Sequence, residues 1–148
     1  MILKIISAVI ALGVGFMVYK NSAQPDYLGV VDGKFAPVPS SPNAVSTQSD
    51  DPEKLVAPLS FDDITHAKKS VYNVLTTMGG NEIVTDDEFY MHVVFTTPTM
   101  KYRDDLELYF NIDEKQIEYR SQSRVGYSDR GLNRERYDSF VKLYKESK

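Results

Sequence analysis

Leu106, Leu108, Phe110 and Ile112 alternate with polar residues, and Ile117 and Tyr119 do the same after the polar stretch Asp113–Gln116. Period-two alternation marks a half-buried strand, and two such runs joined by a short polar link mark a hairpin. This feature constrains the fold most, because a slip of one residue would turn a strand's apolar face outward. Matching the apolar faces pairs Ile112 with Ile117, Phe110 with Tyr119, Leu108 with Ser121 and Leu106 with Ser123. On the other face Tyr109 meets Arg120, Glu107 meets Gln122, and Asp105 meets Arg124.

The neighbouring segments supply the rest of a domain. Ile64, Ala67, Val71, Val74, Leu75 and Met78 recur at helical spacing, and Gly79-Gly80 ends the run. Ser60 is placed to cap that helix, with Asp63 as the acid of a capping box. Glu82–Thr85 and Phe89–Thr97 read as strands, the second closed by Pro98. After Gly131, Asn133 is placed to cap a last helix with the apolar stripe Tyr137, Phe140, Val141 and Tyr144. Short antiparallel strands with two amphipathic helices predict an α+β class. The expected architecture is a two-layer domain, an antiparallel sheet covered on one face by two helices.

The first twenty residues stand apart. Ile5 to Tyr19 is an uninterrupted apolar core, closed by Lys20. It lies between the length of a signal-peptide core and the about 20 residues a spanning helix needs, and Lys4 can snorkel to extend it. Cleavage after Ala23 or Ser22 would place Asn21 or Lys20 at −3, a poor site. The pattern favours a transmembrane anchor over a removed signal peptide. Lys4 on one flank nearly matches Lys20 and Lys34 on the other, so charge decides little about orientation. The short leading tail points to a signal-anchor, single-pass in the inner (cytoplasmic) membrane, with the rest of the chain periplasmic. The organisation expected is an anchor at 1–20, a proline-rich arm at 21–59 and a globular domain at 60–148. The arm holds six of the seven prolines, and Val45, Leu55 and Val56 are its expected anchor points on the domain.

One stretch is too polar for a mere connection. Ser121–Arg136 contains or adjoins five of the six arginines, together with serines, two glycines, an aspartate and an asparagine. The net charge of −4 argues against nucleic acid as a partner. No cysteine is present, so disulfides and thiolate metal sites are excluded.

Three motifs, Pro39–Ser46, Tyr102–Leu108 and Ser121–Arg136 with its Ser-Arg-Val-Gly-Tyr-Ser-Asp core, together resemble the domain of unknown function 1499 family of bacteria and photosynthetic eukaryotes. The resemblance covers about residues 35–145. It implies a membrane anchor, which many members carry, and no particular activity. Many members place cysteines around the Ser-Pro-Asn turn; here Val38 and Ala44 stand there, so a disulfide clamp is absent.

Two uses of the arginine-rich stretch stand open. Asp104, Asp105 and Glu107 could face Arg124 and Arg134 or Arg136, with Asn43, Ser123, Tyr127, Ser128, Asp129 and Asn133 completing a site for a small anionic or polar ligand or an envelope protein. Alternatively, the carboxylates are simply the arginines' structural partners, as such constellations more often are. No catalytic triad, phosphate loop, metal-ligand set or cofactor fingerprint is present. His66 and His92, far apart in sequence, are expected at the surface or satisfied locally. The leading expectation is a non-catalytic, membrane-anchored binding module of the cell envelope. A hydrolase or transferase using Asp104 and Glu107 with Arg124 is one alternative, and a purely structural scaffold is another.

Overall fold

A computed structural model describes residues 2–147. The snorkelling expected of Lys4 concerns a side chain outside the described residues. Helix α1 (Ile2–Ser22) is followed by strands β1 (Val30–Val31), β2 (Lys34–Phe35), β3 (Ala44–Ser46) and β4 (Leu59–Ser60). Helix α2 (Ile64–Met78), strands β5 (Asn81–Asp86), β6 (Tyr90–Thr96), β7 (Arg103–Asn111) and β8 (Gln116–Ser123), and helix α3 (Leu132–Glu146) complete the order. The α+β reading holds: an antiparallel sheet carries α2 and α3 on one face, behind a detached apolar helix.

The main sheet runs β3-β8-β7-β6-β5, and β4 joins the same edge of β8 that β3 occupies. Two short strands from residues 21–60 therefore share the amide edge that the β7–β8 hairpin leaves open. Thr47 bridges them, its amide bonding Tyr119 O and its hydroxyl accepting Tyr119 N. Val45 and Val56 are buried as expected of anchor points, whereas Leu55 is 47% exposed. Leu59 takes the place next to Val56 in the core.

The hairpin register differs from the expected one by two residues. Phe110 faces Ile117, Leu108 faces Tyr119, Leu106 faces Ser121, Glu107 faces Arg120, and Asp105 faces Gln122. The reason lies in the turn. Asn111 pairs with Gln116, so Ile112–Lys115 form the turn, Lys115 has φ 53° and Ile112 is 44% exposed. Ile112 continues the alternation and so reads as strand, but the turn takes it. A shift of two keeps every face assignment, which is why the apolar face is still correct.

Two helix starts also differ. Asp63, not Ser60, is the N-cap of α2, its carboxylate accepting His66 N at 2.8 Å, while Ser60 is in β4. Gly131 precedes α3 with no side-chain cap, and Asn133 lies buried inside the first turn. There Asp129 acts from outside the helix, accepting Gly131 N and Asn133 N.

The core lies between the sheet and the helices. Met91, Val93, Leu106, Leu108, Phe110 and Ile117 are fully buried against Val71, Val74, Leu75 and Phe140. Burial of each such side chain contributes about 1.5–3 kcal/mol. Tyr119 joins them edge-on to Tyr137 and Phe140.

Candidate functional site

Period two sends Asp104 and Asp105 to opposite faces of β7, and the polar residues divide accordingly into two clusters. On the helix face, Arg136 of α3 donates from Nη2 to Asp104 at 2.6 Å and from Nη1 to Asn133 Oδ1 at 2.6 Å. Its guanidinium stacks 4.6 Å from the Phe95 ring centre. Asn133 Nδ2 donates to Asn43 O, Ser123 Oγ and Asp129 Oδ2 at 3.0, 3.1 and 2.7 Å. Asn43 Nδ2 in turn donates to Gly126 O at 2.7 Å. One buried amide thus ties strand β8, the loop after it, helix α3 and the Ser41-Pro42-Asn43 turn together. A concavity of about 330 Å³ borders this cluster, lined by Met78, Phe95, Pro98, Leu132, Glu135 and Arg136 among others.

The opposite face is charged and just as buried. Asp105 receives Arg124 Nε at 2.9 Å and Nη2 at 2.8 Å, and His92 Nε2 lies 2.7 Å from its Oδ1. Glu107 receives Arg120 Nη1 at 2.7 Å, Tyr90 OH at 2.8 Å and the Gly29 amide at 2.7 Å. Asp105, Glu107 and Arg120 are each 0% exposed. Burial pushes the Asp105 carboxyl upward, but the hydrogen bonds from His92 and Arg124 outweigh it and hold it below the usual carboxylate range.

What covers this face is the segment after α1. Tyr27 OH donates to Asp105 Oδ2 at 3.2 Å, and its ring lies 4.4 Å under the Arg120 guanidinium. Burial pushes the Tyr27 hydroxyl well above its ordinary range, with the Asp105 charge adding to it. The contacts advance along β7 in order. Asn21 bonds Arg103, Tyr27 bonds Asp105, Gly29 bonds Glu107, and Gly33 lies against Tyr109. Arg124 closes the near end: its Nη1 donates to the carbonyls of Asn21, Ser22 and Ala23 at 3.3, 3.4 and 3.1 Å. Those carbonyls are the unpaired end of α1, where a cation is favoured by both hydrogen bonding and the helix dipole.

The expected site residues are therefore not one pocket. Asn43, Asp104, Ser123, Asp129 and Asn133 gather on the helix face, and Asp105, Glu107 and Arg124 on the other. Arg134 leaves both, donating to Glu53 O and Leu55 O. Tyr127, 77% exposed, and Ser128 stand on the loop between β8 and α3. Asp104 and Glu107 face opposite sides and are both ion-paired, so they cannot flank one substrate as an acid–base pair. His66 is at the surface, but His92 is buried against Asp105.

None of Arg120, His92, Tyr27 and Tyr90 is among the site residues that the sequence suggests. Arg120 carries a readable signal: it sits on the same strand face as Gln122 and Arg124, and the correct register sets it opposite Glu107. Nothing local marks Tyr27, whose partner is 78 residues away.

Among known proteins, a family model described as "Protein of unknown function (DUF1499)" matches residues 34–143. No curated protein and no solved structure matches the chain. The matched span includes Asp105, Glu107, Arg120 and Arg124, but ends short of Tyr27 and Gly29, which cover them.

Proposed function

The chain belongs to the DUF1499 family, and from the geometry of its two polar clusters we propose that it is a non-catalytic, membrane-anchored module of the cell envelope. In this reading α1 is retained as a single-pass anchor in the cytoplasmic membrane. The domain stands on the periplasmic side and binds an envelope partner or polar ligand through the exposed loop between β8 and α3. Arg124 carries the reading. A side chain 4% exposed, already committed to Asp105, directs its remaining donors at the last carbonyls of α1. Cleavage near Ala23 would remove most of those acceptors and uncover the charged face at one end.

Other observations agree. Residues Ile5–Ser22 are apolar enough to span a bilayer and none is buried in the domain. Only Lys34 is basic among residues 21–40, so little charge would retain that flank in the cytoplasm. Asp104, Asp105 and Glu107 are each paired with an arginine, and on the loop Tyr127, Ser128 and Arg130 are exposed. Asn43 holds the loop at Gly126, so Tyr127 is presented on a fixed backbone, which lowers the entropy cost of an aromatic contact.

Fractionation of a C-terminally tagged chain, with intact mass, tests the anchor. Full-length protein extracted only by detergent is the expected result. Soluble protein beginning near Gln24 would refute it. Arg124→Ala should increase proteolytic nicking between residues 20 and 30 while the chain stays in the membrane. A photo-crosslinker at Tyr127 should give a discrete adduct that one at Ile112 does not.

A further inference from the structure

Met100 is 63% exposed and Tyr102 40% exposed, on the turn that joins β6 to β7. Exposed apolar side chains are ordinary taken singly, but this turn has an unusual neighbour. Asn21, in the last turn of α1, donates from Nδ2 to Lys101 O at 2.8 Å and accepts Arg103 N through Oδ1 at 2.9 Å. Arg103 Nη1 reaches Ser22 O at 3.2 Å. The turn is thus fastened to the end of the apolar helix.

Its height relative to a bilayer follows from that fastening. The apolar run of α1 ends at Tyr19, and Asn21 lies about 3 Å further along a helix axis at 1.5 Å per residue. The order of contacts along β7, from Arg103 at Asn21 to Tyr109 at Gly33, shows the domain extending away from this point. Helix α1 meets the domain at its last turn, through Asn21 and Ser22, and its described side chains before that turn are exposed. The turn is therefore the end of the domain nearest any membrane that α1 spans. Its composition suits a headgroup layer. Residues 97–103 contain Lys101 and Arg103 and no acid, with Pro98, Met100 and Tyr102 as apolar or amphipathic groups.

We infer that the β6–β7 turn is a second membrane contact, seating Met100 and Tyr102 in the interfacial layer of the bilayer that holds α1, with Lys101 among anionic headgroups. This rests on the retained anchor proposed above. It goes beyond it by assigning the domain one end that faces lipid and by setting its tilt. Two attachments a few residues apart in space, one spanning and one interfacial, remove the swivel that a single helix and tether would leave.

The absence of native cysteine makes the test direct. Full-length protein is reconstituted in phosphatidylcholine–phosphatidylglycerol vesicles carrying a shallow nitroxide quencher. An environment-sensitive fluorophore is placed at Met100→Cys, at Ile112→Cys or at Gly15→Cys. Ile112 stands in the turn beyond the opposite end of β7, a strand that spans roughly 27 Å at about 3.4 Å per residue. Gly15 is an open position on α1, with nothing within 4 Å of where a Cβ would stand. The label at 100 should emit to the blue of the one at 112 and be quenched several-fold more strongly. Quenching at 15 with equal, weak quenching at 100 and 112 would overturn the seat and leave the anchor standing. No quenching at 15 would overturn both.

Discussion

Both faces of the main sheet bury their central side chains, but they are covered by different means. On the helix face, α2 and α3 lay an apolar stripe against Met91, Val93, Leu106, Leu108 and Phe110. On the other face, a segment with only two two-residue strands covers His92, Asp105, Glu107 and Arg120. Apolar burial is non-directional and scales with area, so two helices suffice without exact placement of any one group. A thin segment offers little area. Its hold depends on discrete donors and acceptors, namely the Gly29 amide, the Tyr27 hydroxyl and the carbonyls of residues 21–23. Buried ion pairs gain little net stability over apolar packing but are costly to half-remove. The charged face therefore specifies where the segment lies more than it strengthens the fold.

Breaking a pair on that face should produce the largest effect. Arg120→Met strands Glu107 and should lower unfolding stability by about 3–5 kcal/mol, read by denaturant melting of the detergent-solubilised chain. Adding Glu107→Gln removes the stranded charge yet keeps an acceptor for Gly29 and Tyr90, and should restore much of the loss. A double variant no better than the single would show that the face is not held as ion pairs. On the helix face, Asn133→Ala should cost about 1–3 kcal/mol, since Asn43 O, Ser123 and Asp129 lose a shared buried partner. Limited proteolysis should then cut first in the loop near Gly126, leaving residues 20–30 protected; the reverse would erase the distinction between the faces.

The smallest effects come from pH. Burial raises the hydroxyls of Tyr27 and Tyr90 on one face and Tyr119 on the other above their ordinary value of 10.0. Groups raised on folding contribute stability that is complete below the unfolded value and is lost as pH rises past it. The melting temperature should stay level up to about pH 10 and then fall. Asp105 has the opposite sign. Its lowered value gives stability present above 3.8 and lost as pH falls below it. Tyr27→Phe should reduce the alkaline fall while costing about 0.5–1.5 kcal/mol at neutral pH. An unchanged alkaline profile would show that Tyr27 is accessible to water in the folded chain.

Legibility followed the physics of each interaction. The alternation of Leu106, Leu108 and Phe110 and the stripe of Ala67, Val71, Val74 and Leu75 read correctly because periodicity is local. The register reads two residues off because Ile112 satisfies the alternation while the turn claims it. The polar stretch Ser121–Arg136 is identifiable as structured, but its partition is not. Asp104 and Asp105 are neighbours in sequence, and only the pleat assigns one to Arg136 and the other to Arg124.

By itself, the sequence determined the apolar helix at the amino terminus, the α+β class, the apolar face of the sheet and the family. Each rests on a pattern contained within a few turns, a few strand residues or a motif. The tertiary structure decided that the proline-rich segment supplies β3 and β4, that the stretch after α1 lies over the charged face, and that Arg124 caps α1. Those contacts join residues some 80 to 100 positions apart. At such separations no local periodicity links the partners, and only the folded path of the chain brings them together.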